Sequence, residues 1–146
     1  MKMTPYEQYE KQCKKMRKAN ERLLNVFEEW LKSAGLSEKT IDRHLSNADF
    51  YINEFLLYED VVEAKDGAYR VDDYLGDWFI RKGPCGGPSS LKSSAASLKK
   101  FFAFLHEKGL VDKEDLTDLI KTIKAEMPKW LQTSGRYYDS SIDDIW

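Results

Sequence analysis

Apolar residues recur at helical spacing through most of the chain, and everything that reads as ordered reads as helix. Thr4, Pro5 and Glu7 form a helix start, with a capping threonine, a proline at the first helical position and a glutamate placed for a capping box. The helix runs to Ala34, with a break expected near Asn20. Its early part is charged and thinly apolar. Its later part carries a stripe of Leu23, Leu24, Val26, Phe27, Trp30, Leu31 and Ala34, and Gly35 stops it. Ser37 caps a second helix over 38–57. Ile41, Leu45, Ala48, Ile52, Phe55 and Leu56 face inward, and Lys39, Arg43, Ser46, Asn47, Phe50 and Asn53 face outward.

Residues 59–70 read as a loop whose Asp66-Gly67 turn leaves room for a short hairpin. A third helix spans 73–82 on Tyr74, Leu75, Trp78 and Phe79, and Gly83–Pro88 ends it as a hinge. Ser89 or Ser90 caps a fourth, which reaches Lys108 and is closed by Gly109. Its core side is Leu91, Ala95, Leu98, Phe101, Phe102 and Leu105, and its outer side is Lys92, Ser93, Ala96, Ser97 and Lys100. Asp112 caps a fifth over 113–127, with Leu116, Leu119, Ile120 and Ile123 inward and Pro128 as its limit. The expected fold is all-α, a compact bundle of four to five helices. It divides into a basic helical extension (1–22), a helical domain (23–131) and an acidic-aromatic tail (132–146). Trp30 and Phe102 are expected in one buried cluster with Leu45, Ile52, Trp78 and Leu98.

Composition narrows the class. With 146 residues, 42% hydrophobic and 33% charged, the chain has an ordinary globular mixture and is long enough for a real core. No apolar run approaches the roughly 18 residues of a membrane span, and no apolar signal segment opens the chain. Cys13 and Cys85 are too far apart for a CxxC pair, which disfavours a disulfide framework or a cysteine zinc site. A cytoplasmic protein without cofactor is expected. The net charge of −2 argues against indiscriminate coating of nucleic acid, yet the charge comes in blocks. Residues 1–22 carry seven basic side chains against three acidic, and 80–108 carry six against one. Residues 58–79 carry seven acidic against two basic.

Few constellations carry chemistry. His44 and His106 sit at the borders of apolar stripes and read as structural. The pairs Glu28-Glu29, Asp72-Asp73 and Asp143-Asp144 read as helix starts and solvated faces. Gly83–Pro88 lacks the Gly-Lys-Ser/Thr ending of a phosphate loop. The stretch from Arg81 to His106 stands out, with Arg81, Lys82, Lys92, Lys99 and Lys100, five serines and no acid. Serine hydroxyls and helix N-terminal amides can bond phosphate oxygens while lysines supply charge. By composition alone, a serine-rich solvated face explains it as well.

The segment Gly35-Leu36-Ser37-Glu38-Lys39-Thr40-Ile41, followed by a helix with Ile52 and Phe55-Leu56, resembles the opening of the core-binding domain of tyrosine recombinases and phage integrases. Residues 92–110, ending Phe104-Leu105-His106-Glu107-Lys108-Gly109, resemble that family's last long helix, and Tyr74-Leu75 with Trp78-Phe79 resemble the short helix before it. The resemblance covers 23–125. It implies a SAM-like helical module that grips double-stranded DNA. The matching positions are Lys39, Arg43, Ser46 and Asn47 on the second helix, and Ser90, Lys92, Ser93, Ser97 and Lys100 on the fourth. The sequence departs from the family in having Asp112–Leu116 where an Asn-Pro pair is usual. It also has no His-x-x-Arg motif, and Tyr137 and Tyr138 lack the electrostatic cradle a recombinase nucleophile needs. The expectation is a non-catalytic DNA-binding module. The alternative is a helical protein-interaction module on the same scaffold, using the acidic 58–79 block and the tail. Tyr138, Ile142 and Trp146 are expected to dock back on the helices or to bind a partner or a second copy.

Overall fold

Thr4 accepts a hydrogen bond from the Glu7 amide at 3.1 Å and begins α1, Pro5–Ser33, in a computed structural model that describes residues 2–82 and 87–143, with side chains as far as Arg136. The expected break near Asn20 is absent, and α1 is continuous over 29 residues. It ends at Gly35, whose φ of +78° is the left-handed turn that glycine adopts without penalty. Ser37 caps α2, Glu38–Asp49, by accepting from the Thr40 amide at 3.2 Å.

The expected continuation of α2 to residue 57 is replaced by a π-helical turn, Phe50–Phe55. The wider turn brings Tyr51, Ile52, Phe55, Leu56 and Leu57 all into burial. The Tyr51 and Phe55 rings stack at 5.5 Å, and the Tyr51 hydroxyl donates to the Gly67 carbonyl at 2.6 Å. This last bond closes the first of two units, which meet between Gly67 and Ala68. The 59–70 region holds 3-10 turns, Ala64–Asp66 and Ala68–Arg70. No strand occurs among the described residues, so the hairpin is not formed.

The first unit revises the reading of the N-terminal segment. Along α1, Tyr9, Cys13, Arg17 and Asn20 recur at helical spacing and direct their donors at carbonyls near the end of the π turn. Tyr9 Oη donates to Leu57 O and, at 3.0 Å, to Tyr58 O. Cys13 Sγ lies 3.9 Å from Leu57 O, Arg17 Nη2 is 3.3 Å from Asn53 O, and Asn20 Nδ2 is 3.4 Å from Ile52 O. A helix C-terminus leaves its last carbonyls without intrahelical donors, and α1 supplies several. Residues 5–22 are therefore not an extension added to a domain but one wall of this unit.

The second unit holds α3, Val71–Asp73, a π-helical turn Tyr74–Trp78, α4, Phe79–Lys82, α5, Pro88–Glu107, and α6, Lys113–Asp143. Gly87, rather than Ser89 or Ser90, is the N-cap of α5, because Pro88 already takes the first helical position. Gly109, at φ +78°, closes α5. Pro128 does not end the last helix, which continues 15 residues beyond it. Tertiary packing explains this. Trp130 is buried, and its indole lies so close to Gly76 that a Cβ there would fall 2.5 Å from Nε1. Ser134, one turn further on, is also buried. The helix thus persists past the proline because it is held at Trp130 and Ser134, and the proline costs one hydrogen bond rather than the element.

Of the expected cluster, Ile52, Leu98 and Phe102 are buried. Trp30, Leu45 and Trp78 are only half-buried, and the six divide between the two units. Trp30 stacks on Phe27 at 6.1 Å and Trp78 on Tyr74 at 5.8 Å. No described helix is long and apolar enough to cross a membrane.

Candidate nucleic-acid interface

α5 is divided along its length into a buried and an exposed side. Leu91, Ala95, Leu98, Phe102 and Leu105 form one buried stripe, and Ser94, Ser97, Phe101 and Phe104 form a second beside it. Together they occupy half the circumference, at about 100° per residue. The other half carries Lys92, Lys99 and Lys100, all exposed, with half-buried Ala96 and Ala103 between them. None of the three lysines makes an ion pair among the described residues. No carboxylate occurs on α5 before Glu107. The small alanines keep the surface between the lysines low, so an extended anion can lie close to the helix.

This geometry redistributes the expected site. Lys92 and Lys100 are exposed as anticipated, and Ser90 and Ser93 are half-buried beside them. Ser97 is a correction. It is fully buried at 0% exposure, because α5 packs on two sides and Ser97 belongs to the second stripe with Phe101 and Phe104. Lys99 was missed. It stands seven residues from Lys92 on the same face, a relation that helical geometry makes visible once the second stripe is known.

On α2, in the first unit, Lys39, Arg43 and Ser46 are exposed and Asn47 is half-buried. Exposed Glu38, Asp42 and Asp49 on the same helix balance the two cations, so α2 offers hydrogen-bonding groups without net positive charge. The remaining candidates have structural roles. His44 is buried, and His106 Nδ1 lies 2.8 Å from the Val111 carbonyl. Glu28 and Glu29 both approach Lys32, and Asp73 approaches Arg70. Among the described residues, no three His, Cys, Asp or Glu side chains converge as a metal site would require. An open groove of about 570 Å³ runs beside α1, lined by Tyr6, Tyr9, Glu10, Cys13, Lys14 and Arg17 among others. Gly83–Gly86 with Cys85, the side chains of Tyr137, Tyr138 and Ile142, and Trp146 lie outside the described residues, so the hinge and docking expectations attached to them do too.

The fold and this face define the class only as an all-α protein with a cationic helix surface. No family model, no curated protein and no solved structure matches the chain.

Proposed function

We propose that this protein is a non-catalytic helical module that binds the backbone of double-stranded DNA through the exposed face of α5. The observation that carries the reading is Lys92, Lys99 and Lys100, without ion pairs among the described residues, on a face whose one carboxylate is Glu107 at its C-terminal end, and separated by alanines rather than by bulky side chains. Such a face neutralises phosphates and releases their counterions, an effect independent of sequence. Ser90 and Ser93 supply hydroxyls for phosphate oxygens beside it. The resemblance of residues 92–110 to the last long helix of the integrase core-binding domain agrees with this assignment. Lys39, Arg43, Ser46 and Asn47 on α2 would add polar contacts and little charge.

Replacing Lys92 and Lys100 together by glutamate changes the charge of this face by −4. Duplex affinity at low salt is expected to fall on the order of 100-fold or more. Stability is expected to hold, because exposed substitutions usually shift it by about 0.5 kcal/mol or less. Unchanged affinity in a folded double variant would remove α5 from the interface.

One observation favours a protein partner as the second reading. Tyr69 is 70% exposed and stands in sequence near exposed Asp72 and Asp73 of the same unit, an aromatic and acidic segment suited to a basic peptide. Retained partner capture by the Lys92→Glu/Lys100→Glu variant, with no DNA binding by the parent chain, would favour it.

A further inference from the structure

The rotation of α1 about its own axis is fixed by what it buries. Cys13, Asn20, Phe27 and Leu31 are buried, and Tyr9, Arg17 and Asn20 hydrogen-bond to the carbonyls of residues 52–58. At about 100° per residue, the centre of the opposite side is occupied between positions 11 and 22 by Lys11, Lys14, Lys15, Lys18 and Arg22, with Ala19 and Glu21 at its borders. These five fall within an arc of about 100°, and all are exposed. Ion pairs on α1 are confined, among the described residues, to Lys32 with Glu28 and Glu29. Among the described residues the stripe therefore has no ion-pair partner. Its members also repel one another, since Lys11 and Lys15, Lys14 and Lys18, and Lys18 and Arg22 stand one helical turn apart. Nothing in the packing of the unit calls for these charges.

We infer that the outer edge of α1 is a second phosphate-binding surface, one that lies along the sugar-phosphate backbone of duplex DNA independently of base sequence. Charge complementarity argues for this occupant, a dense row of cations against a dense row of phosphates. Eleven residue steps at about 1.5 Å spread five cations over about 16 Å, a mean of about 4 Å between neighbours. One strand of a duplex presents a phosphate about every 3.4 Å along its axis. A lipid surface is the weaker match. An interfacial helix inserts an apolar side into the bilayer, and the apolar side of α1 is already buried in the protein. Between positions 11 and 22 the edges of the stripe carry Gln12, Ala19 and Glu21 rather than large aromatic or aliphatic anchors. This surface lies in the first unit and stands or falls separately from the face of α5.

The test uses the full chain with Lys11, Lys15 and Lys18 changed together to glutamine and, in parallel, to arginine. A labelled duplex of about 20 base pairs is titrated across about 50–200 mM salt, and phosphatidylserine vesicles are titrated alongside. The glutamine variant is expected to bind DNA on the order of 100-fold more weakly at the lowest salt, and its log–log salt slope should be shallower by about 2.7, near 0.9 for each lost contact. The arginine variant should match the parent chain. Thermal unfolding of both variants verifies that the fold is kept. Equal DNA affinity and slope in the parent and glutamine chains overturn the inference, as does a stripe whose loss affects only vesicle binding. A loss confined to the α5 variant leaves the proposed function standing and removes this surface. A loss confined to the α1 variant does the reverse, and a parent chain that binds no DNA removes both.

Discussion

Tyr9 shows how one side chain ties the N-terminal helix to its unit. Partial burial, followed by the hydrogen bond with Cys13, pushes its phenol up to about 12 from 10.0. Burial also raises Tyr74. In the folded protein both phenols keep their protons at a pH where the unfolded chain has begun to lose them. The Tyr9 contribution is therefore intact below about pH 10 and is lost progressively as pH rises toward 12. Tyr9→Phe is expected to cost about 1 kcal/mol at neutral pH, through loss of the bonds to Leu57 and Tyr58, and to flatten the alkaline decline. Urea unfolding midpoints of the two proteins between about pH 8 and 11 measure this, and parallel declines would refute the role of Tyr9. Gly76 makes a second prediction at this scale. A Cβ there would meet the Trp130 indole at 2.5 Å, so Gly76→Ala is expected to destabilise by about 1–3 kcal/mol. Trp130→Leu should relieve much of that, and additive effects in the double-mutant cycle would contradict the contact.

Among elements, α5 and α6 differ in how far sequence alone carries. The inward side of α5 is legible because six apolar residues, five of them large, recur over 20 positions and all six are buried. Ser97 is not, because a serine reads the same on a solvated face as in a tight approach between helices. The donors of α1 are illegible for a related reason. Asn20 and Arg17 look like solvent-facing residues until the π turn shows carbonyls that need them. The persistence of α6 past Pro128 depends on Trp130 meeting Gly76, a contact 54 residues away along the chain that no local rule contains. Pro128 is exposed, so Pro128→Ala restores an amide donor without opening a cavity. It is expected to stabilise the protein by about 2 kcal/mol, the roughly 3 kcal/mol helix penalty less about 1 kcal/mol for the freer unfolded chain. A thermal unfolding midpoint that fails to rise would show that the helix is locally adapted to its proline.

For the molecule as a whole, an acidic protein with a net charge of −2 carries two concentrated cationic helix faces, one in each unit. The block pattern of charge was visible in the sequence, but which charges stay unpaired was not. Arg81 belongs to the basic 80–108 block, yet it forms a two-point pair with Asp77 at 2.8 Å, which holds the Asp77 carboxyl below its usual range. Lys92, Lys99 and Lys100 have no such partner among the described residues. The most direct measurement is the affinity of the parent chain for a short duplex, read by fluorescence anisotropy as salt is raised from about 50 to 200 mM. The account predicts binding at the lowest salt and a log–log slope of about −2.7 or steeper, one phosphate for each α5 lysine at least. It also predicts a shallower slope in the Lys92→Glu/Lys100→Glu variant. A folded parent chain with no duplex affinity at the lowest salt, or one whose affinity ignores salt, would contradict it.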